Sequence, residues 1–185
     1  NTTSLRSGGY IFAAEFMSQA WTGTLRAGAI DKDGNITDWV WDAAAVLNAR
    51  DLSADPRLVL TYNNGVGTEF AWSDGLNGAP KNDLKGGGTD ALGEARLDYI
   101  KGLDVEGSGD VTFKERLSRL GAIINSSPIY VGEPGFVWPD TSIFGDTPYS
   151  AFKSAKKTRQ KVVYIGANDG MLHGFDAGNG DEVLA

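Results

Sequence analysis

Residues 162–185 read VVYIGANDGMLHGFDAGNGDEVLA, and the turns in this stretch are its most informative feature. An apolar run is followed by an Asn-Asp-Gly turn, a second apolar run and a glycine-rich turn. This pattern predicts two antiparallel strands and a third that begins at Asp181. We therefore interpret the stretch as one repeat unit of a larger β-sheet protein, with an unpaired sheet edge at its carboxyl end.

The composition favours an all-β fold with small helices. The chain has 185 residues, 41% of them hydrophobic, which suits one domain with a real core. Its 25 Gly, 5 Trp, 6 Tyr and 8 Phe indicate tight turns between short aromatic strands.

A net charge of −7 repels phosphate backbones, so nucleic acid is disfavoured as a partner. No apolar run approaches the ~20 residues of a membrane span, and with no Cys, disulfides and thiolate chemistry are excluded.

Local signals predict two hairpins in the first half of the chain. Residues 24–30 and 36–41 flank the turn DKDGN, and residues 57–62 and 66–72 flank an Asn-Asn-Gly turn. Asp42 is predicted to cap a short helix that follows the first hairpin, because its carboxylate can accept hydrogen bonds from the free N–H groups of the first turn.

The middle of the chain is predicted to be less regular. Residues 73–89 have no hydrophobic period and contain three consecutive glycines, so we expect an exposed loop. Residues 90–101 have a loosely helical pattern, and residues 123–131 fit a strand. Residues 133–160 form a long connecting loop that holds one short helix over 148–157.

Two stretches resemble the PilC/PilY family of type IV pilus tip proteins. Residues 161–182, KVVYIGANDGMLHGFDAGNGDE, are similar to the signature strand pair of that family, and residues 116–132, RLSRLGAIINSSPIYVG, are similar to the segment before it. Ala122 stands where the family usually carries Asp. The signature positions, for which the resemblance implies a structural role, are Gly166, Asn168, Asp169, Gly170, His173, Asp176 and Gly180.

The resemblance implies that residues 1–185 form a single partial domain, the opening blades of a modified quinoprotein-like β-propeller that is incomplete at its carboxyl end. It implies a non-enzymatic component of the pilus tip, outside the cell or associated with the outer membrane, that acts in pilus assembly and retraction and in adhesion. The implied partners are the rest of the propeller, minor pilins and a host-surface receptor. Calcium is implied for the parent protein, and no cofactor is expected in this stretch.

Two alternatives from other classes stay open. A quinoprotein dehydrogenase would repeat an Ala-x-Asp-x-x-x-Gly-x-x-x-Trp docking motif; Asp176 and Gly180 fit it, whereas Gly174 and Leu184 replace its Ala and Trp. A lectin-like propeller would stack sugars on the tryptophans. For Trp39 and Trp41, two residues apart, we predict instead a shared strand face that fills the space between blades.

A calcium site is conceivable at Asp31, Asp33 and Asn35, because these side chains alternate as calcium ligands do. An EF-hand loop requires Gly at its sixth position and Glu at its twelfth, and here these are Ile36 and Asp42. The hairpin-turn interpretation is therefore preferred over a metal site.

No catalytic residue is predicted. His173 is the only histidine, it lacks a G-x-S-x-G partner motif, and we predict that its ring bonds a backbone carbonyl. Residues 168–170 are predicted to form a turn in which side chains bond nearby N–H groups. Arg116 and Arg119 suit either an anionic partner or carboxylates on neighbouring loops, and the second interpretation is preferred.

Overall fold

A computed structural model describes residues 3–7, 9–141, 145 and 147–185. The strands are β1 (Thr3–Ser7), β2 (Tyr10–Met17), β3 (Thr22–Ile30), β4 (Ile36–Asp42), β5 (Leu60–Asn63), β6 (Val66–Glu69), β7 (Gly107–Ser108), β8 (Val111–Thr112), β9 (Ile129–Val131), β10 (Val162–Gly166), β11 (Leu172–Asp176) and β12 (Glu182–Leu184). The helices are α1 (Ala43–Ala49), α2 (Ala79–Lys85), α3 (Asp90–Lys101) and α4 (Tyr149–Ala155).

Two antiparallel meanders organise the described residues. The first sheet has the order β1-β2-β3-β4, and the second has the order β9-β10-β11-β12. Each has the form of a propeller blade, in which consecutive strands lie side by side. These sheets confirm the predicted all-β class with small helices, and the described part of the chain closes no barrel. None of its helices combines the length and hydrophobicity that crossing a bilayer requires.

The core lies between the two sheets. Phe12 and Leu25 of the first sheet and Ile165 and Phe175 of the second are all almost completely buried. The ring of Phe12 stacks on Tyr130 of the second sheet with 6.0 Å between centroids. The sheets are therefore held face to face by aromatic and aliphatic packing, the main favourable contribution to folding.

Residues 50–115, which contain β5 to β8, α2 and α3, separate the two sheets in sequence, and we call them the insertion. The insertion contacts the end of the second sheet directly after β12. The Ala185 N–H donates to the Leu58 carbonyl at 3.0 Å, and the Leu60 N–H donates to the Ala185 carbonyl at 2.7 Å. The strand predicted to begin at Asp181 is present as β12. The prediction of an unpaired edge is wrong in part: β12 is the outer strand of its four-stranded sheet, but Ala185, directly after it, pairs with the segment before β5. The partner of Ala185 lies more than 100 residues upstream, and local patterns carry no information on such a pairing.

The predicted hairpins are confirmed as β3–β4 and β5–β6. The predicted cap is also present, since the Asp42 carboxylate accepts from the Ala45 N–H at 3.0 Å at the start of α1. Helices over 90–101 and within 148–157 are confirmed as α3 and α4. Of the connection 133–160, residues 142–144 and 146 lie outside the described residues.

The prediction of a loop over 73–89 is wrong in part, because this segment contains α2. The helix packs along α3, where the Arg96 guanidinium donates to the Leu84 carbonyl at 2.6 Å and the Lys85 carbonyl at 2.7 Å. Gly86, with φ of +56°, ends it. Tertiary contact with α3 thus stabilises a short helix whose own sequence has no apolar period.

The predicted strand over 123–131 is also too long, since only β9 is regular. Asn125 has φ of +58°, a left-handed conformation that interrupts an extended strand. Strands β1 and β2 were missed by the sequence patterns. Here the burial pattern of β2, with Phe12, Ala13 and Ala14 all buried, lacks the clean alternation that marks a half-exposed strand.

The prediction that Trp39 and Trp41 share one buried face is wrong. Trp41 is 7% exposed and lies in the core, whereas Trp39 is 47% exposed. A bulge explains the difference: Ala27 pairs with Trp41 and Gly28 pairs with Trp39, so Val40 is an extra residue. An extra residue in one strand reorients the side chains that follow it.

Candidate functional site

Four ionisable side chains form a continuous line of contacts, which we call the buried line, along the second sheet. Arg57 precedes β5, Glu182 lies on β12, His173 lies on β11, and Asp169 lies in the turn between β10 and β11. Arg57, Glu182 and His173 are 3%, 6% and 0% exposed, respectively. Charged groups are rarely buried so deeply unless they are paired.

The Arg57–Glu182 ion pair is bidentate. The Nε and Nη2 atoms of Arg57 lie 2.5 Å and 2.8 Å from the two Glu182 carboxylate oxygens. The Nη1 atom donates to the Lys101 carbonyl at 3.1 Å, at the end of α3. One guanidinium therefore joins the β5 segment and α3 of the insertion to the edge strand of the second sheet.

His173 lies between two carboxylates. Its Nδ1 is 2.7 Å from the nearer Glu182 oxygen, and its Nε2 is 3.0 Å from an Asp169 oxygen. That same Asp169 oxygen accepts from the Gly121 N–H at 2.9 Å. The backbone-carbonyl partner predicted for His173 is thus wrong. Because both ring nitrogens face acceptors, this geometry is that of a doubly protonated imidazolium.

The environment shifts all three titratable groups. Burial lowers the pKa of His173, but hydrogen bonds to Asp169 and Glu182 and their charges outweigh it, so that pKa is raised. Burial alone would raise the pKa of Glu182. The hydrogen bonds that Glu182 accepts from His173 and Arg57 outweigh this effect, and the pKa of Glu182 is lowered. The pKa of Asp169 is lowered in the same way, against burial, by His173. The line carries no net charge when His173 is protonated.

These shifts predict a pH optimum for stability. The raised pKa of His173 gives stability that is present below its ordinary value of 6.5 and is lost as pH rises through the folded-state pKa. The lowered pKa of Glu182 gives stability that is present above its ordinary 4.5 and is lost as pH falls. We expect the free energy of unfolding, measured by urea denaturation, to be highest between these values. It should fall by about 1.5–3 kcal/mol towards pH 9, the typical contribution of a hydrogen bond to a charged group.

The variant His173→Gln is the control for the alkaline side. The chain has a single histidine, so the variant should be less stable at pH 6 and nearly independent of pH between 6.5 and 8.5. Equal slopes for the variant and the wild type over that range would contradict the assignment.

The arrangement stabilises structure and leaves neither ring nitrogen of His173 free to act as a general base. A general base needs a free lone pair on one ring nitrogen, and both nitrogens of His173 are engaged by carboxylates. What the line does is connect the insertion, β11, β12 and the segment around Gly121. Among the described residues, no group of three or more His, Cys, Asp or Glu side chains converges as a metal site.

The calcium candidates form a turn. One Asp31 oxygen accepts from the backbone N–H groups of Asp33 and Asn35 at 2.9 and 2.8 Å, and the other accepts from the Asn35 side chain at 3.3 Å. The hydrogen bond from the Asn35 backbone is the largest cause of the lowered Asp31 pKa. The Asp31 and Asn35 side chains and the Asp33 backbone therefore serve the β3–β4 turn.

The two stretches that carry the resemblance touch one another. The Gly166 N–H donates to the Ser126 hydroxyl at 3.0 Å, and the Asn168 N–H donates to the Ala122 carbonyl at 2.9 Å. In the turn itself, Gly170 has φ of +89°. Signature residues 166–170 thus hold the segment that precedes β9.

Asp176 and Gly180 lie at the two ends of one turn, and this turn contacts the first sheet. The Asp176 carboxylate accepts from the Gly178 N–H at 2.8 Å. Trp41 of the first sheet lies against Gly180, and its indole N–H donates to the Ala177 carbonyl at 3.1 Å. The tryptophan that packs on Gly180 is therefore Trp41 of the neighbouring sheet. In the quinoprotein docking motif the tryptophan would stand at position 184 of the same sheet, where this chain has Leu184.

The two arginines predicted to bind carboxylates bind mainly backbone carbonyls. Arg119 donates to the Leu47 and Arg50 carbonyls at 3.1 and 2.6 Å, at the carboxyl end of α1. Arg116 donates to the Tyr99 carbonyl and stacks on that ring at 4.3 Å. Helix ends leave free carbonyls that attract cations, which the sequence reasoning did not consider. The sequence patterns also missed Arg57 and Glu182, and the only local signal is that Arg57 directly precedes the apolar residues 58–60.

Comparison with known proteins agrees with these features. Residues 120–184, which include the whole second sheet, match the family described as PilY1 beta-propeller domain. A type IV pilus biogenesis factor PilY1 homolog of Xylella fastidiosa is 34% identical over all of this chain and 14% of its own length. The type IV pilus biogenesis factor PilY1 of Pseudomonas aeruginosa strain PAO1 is 36% identical over 79% of this chain and 13% of its own length. That of strain UCBPP-PA14 is 30% identical over 95% of this chain and 16% of its own length.

No solved structure matches the chain. The chain spans 13 to 16% of the length of these three curated relatives. The family match covers the second sheet, and the relatives extend the similarity over the first sheet and the insertion. Together these findings show that the chain belongs to the PilY1-type family.

Proposed function

We propose that this chain is part of a non-enzymatic component of the type IV pilus that acts in pilus assembly and retraction. The observation that carries the proposal is the similarity along the whole chain to a protein named type IV pilus biogenesis factor PilY1 homolog. The engagement of both His173 nitrogens by carboxylates supports a structural use of the ionisable groups.

The finer features of the proposal concern the whole parent protein. We place it outside the cell, at the pilus tip or associated with the outer membrane, with minor pilins and a host-surface receptor as partners. Adhesion to surfaces or host cells is its second role. Calcium binding is proposed for another part of the parent polypeptide, away from the Asp31 turn.

Deletion and complementation of the parent gene test this proposal. The deletion should reduce sheared surface pilin and the twitching zone by at least tenfold, and the wild-type gene should restore both. Attachment to glass or epithelial cells, normalised to surface pilin, separates adhesion from assembly. Normal pili, motility and attachment in the deletion would overturn the proposal. Alcohol oxidation by the purified parent protein on addition of pyrroloquinoline quinone would overturn its non-enzymatic part.

A further inference from the structure

A cluster of cations lies directly before β10. Five of the chain's 17 lysines and arginines stand within nine residues, at Lys153, Lys156, Lys157, Arg159 and Lys161, and residues 147–168 contain no Asp or Glu. Within the described part of the chain, no carboxylate forms an ion pair with any of the five. The whole chain has a net charge of −7, so the cluster is opposite in sign to the rest of the molecule. Its charge can therefore attract an anionic partner.

Helix α4, which carries the first of these lysines, contributes no residue to the core. None of its seven residues is buried. Phe152 is 41% exposed, and its ring lies 5.7 Å from that of Tyr149. Short helices are marginal in water, and in proteins most of their stability comes from packing of an apolar side. In α4 the large apolar side chain of Phe152 stays at the surface beside the cations instead.

The loop before α4 exposes a second apolar group. Phe136, Val137 and Trp138 follow one another in sequence and are 70%, 89% and 50% exposed. The rings of Phe136 and Trp138 lie 6.0 Å apart. Loops that face only water carry Gly, Pro, Asn, Asp or Ser in such places, and a run of exposed large apolar residues indicates a binding surface.

Two contacts hold this loop beside α4. The Lys153 ammonium group donates to the Phe136 carbonyl at 3.4 Å. The Asp140 carboxylate accepts from the Ser150 N–H at 2.8 Å and from the Ser150 hydroxyl at 2.6 Å. The apolar loop and the cationic segment therefore adjoin, and we call residues 136–138 together with residues 152–161 the basic-aromatic patch.

We propose that the basic-aromatic patch is a peripheral binding site for an anionic phospholipid surface. At such a surface, Lys and Arg bind headgroup phosphates while Trp, Phe and aliphatic side chains enter the boundary between headgroups and acyl chains. The patch offers both kinds of group side by side. A nucleic acid would use the cations and could stack bases on the rings, but it would leave Val137, the most exposed of the three apolar residues, in water.

The net negative charge of the chain does not prevent this contact. Salt screens charges over about 8 Å at physiological ionic strength, so a surface that touches the patch responds to the charge of the patch. The acidic residues elsewhere in the chain then favour one orientation, with the patch towards the lipid. This inference does not depend on the role in pilus assembly, because lipid binding is measured on the purified protein.

Vesicle flotation with the purified full-length parent protein tests the proposal. Vesicles of equal parts phosphatidylglycerol and phosphatidylcholine supply the anionic surface, and vesicles of phosphatidylcholine alone are the neutral reference. We expect binding to the anionic vesicles, weakened at least tenfold by Lys156→Glu with Lys157→Glu. The matched control is Lys32→Glu with Lys114→Glu, which makes the same change of charge at exposed lysines outside the patch and should bind like the wild type.

A second variant tests the apolar part of the patch. Phe136→Ser with Val137→Ser keeps every charge and should also weaken binding to the anionic vesicles at least tenfold. The binding that the wild type retains at high salt, where the cations are screened, should disappear in this variant. Both side chains are mostly exposed, so the stability of the protein in urea should stay nearly unchanged.

Three results would overturn the proposal. The first is a wild-type parent protein that does not float with the anionic vesicles. The second is an equal loss of binding in the Lys32 and Lys114 control, which would show that charge anywhere on the surface suffices. The third is unchanged vesicle binding by the Phe136 and Val137 variant, together with duplex DNA binding by the wild type that the Lys156 and Lys157 variant loses. That result would assign the patch to a nucleic acid.

Discussion

Replacing Glu182 with alanine is expected to lower the free energy of unfolding of the chain by about 3–5 kcal/mol, the typical cost of removing one partner of a buried ion pair. The Arg57 guanidinium, 3% exposed, would lose both of its carboxylate contacts while it stays buried. His173 would lose its Nδ1 partner at the same time. Urea or guanidinium denaturation followed by circular dichroism measures the loss directly.

Two further variants make this expectation specific. Glu94→Ala removes an exposed carboxylate on α3 and should change stability by less than about 0.5 kcal/mol. The double variant Arg57→Met with Glu182→Met removes both charges and should recover much of the loss, because no unpaired charge remains buried. A loss for Glu182→Ala no larger than that for Glu94→Ala would show that the pair does not form.

Replacing Gly180 with alanine is expected to cost about 2–5 kcal/mol, from about 1–2 kcal/mol of left-handed backbone strain and about 1–3 kcal/mol of overpacking. Gly180 has φ of +79°, and a Cβ atom there would lie 2.8 Å from the Trp41 ring. Gly170 is the matched control: its φ is +89°, and a Cβ atom would meet nothing within 4 Å. Gly170→Ala should therefore show the backbone cost alone.

Thermal or urea denaturation of the two variants measures the difference between them. Trp41 fluorescence should also change in Gly180→Ala, because the indole must move or lose its bond to Ala177. In combination with Trp41→Ala, the packing part of the cost should disappear, which a double-mutant cycle detects as non-additivity. Equal losses for Gly180→Ala and Gly170→Ala would show that Trp41 does not pack on the glycine.

Local structure was largely readable from the sequence, whereas long-range structure was not. The DKDGN and Asn-Asn-Gly turns predicted both hairpins, because a glycine with positive φ between β-rich runs fixes a hairpin within a few residues. Helix α2 and the bulge at Val40 were missed because they depend on other elements of the structure. Arg96 of α3 stabilises the end of α2, and the pairing of β4 with β3 produces the bulge.

In the candidate site, too, local features could be predicted from the sequence and long-range contacts could not. The signature stretch identified Asp169 and His173 as positions of interest, and the structure places both in the buried line. Nothing in the sequence pairs Arg57 with Glu182, since no local pattern relates two residues so far apart. Such a pair is visible only when the insertion is folded against the second sheet.

The separation of Arg57 and Glu182 also has a consequence for how the chain is made. The two residues are 125 positions apart, so their contact closes one of the longest loops in the chain. At typical synthesis rates of about 5–20 residues per second, Glu182 leaves the ribosome roughly 6 to 25 s after Arg57. During that time the Arg57 guanidinium lacks its Glu182 partner. The ion pair that joins the insertion to β12 can therefore form only after nearly the whole chain has been made.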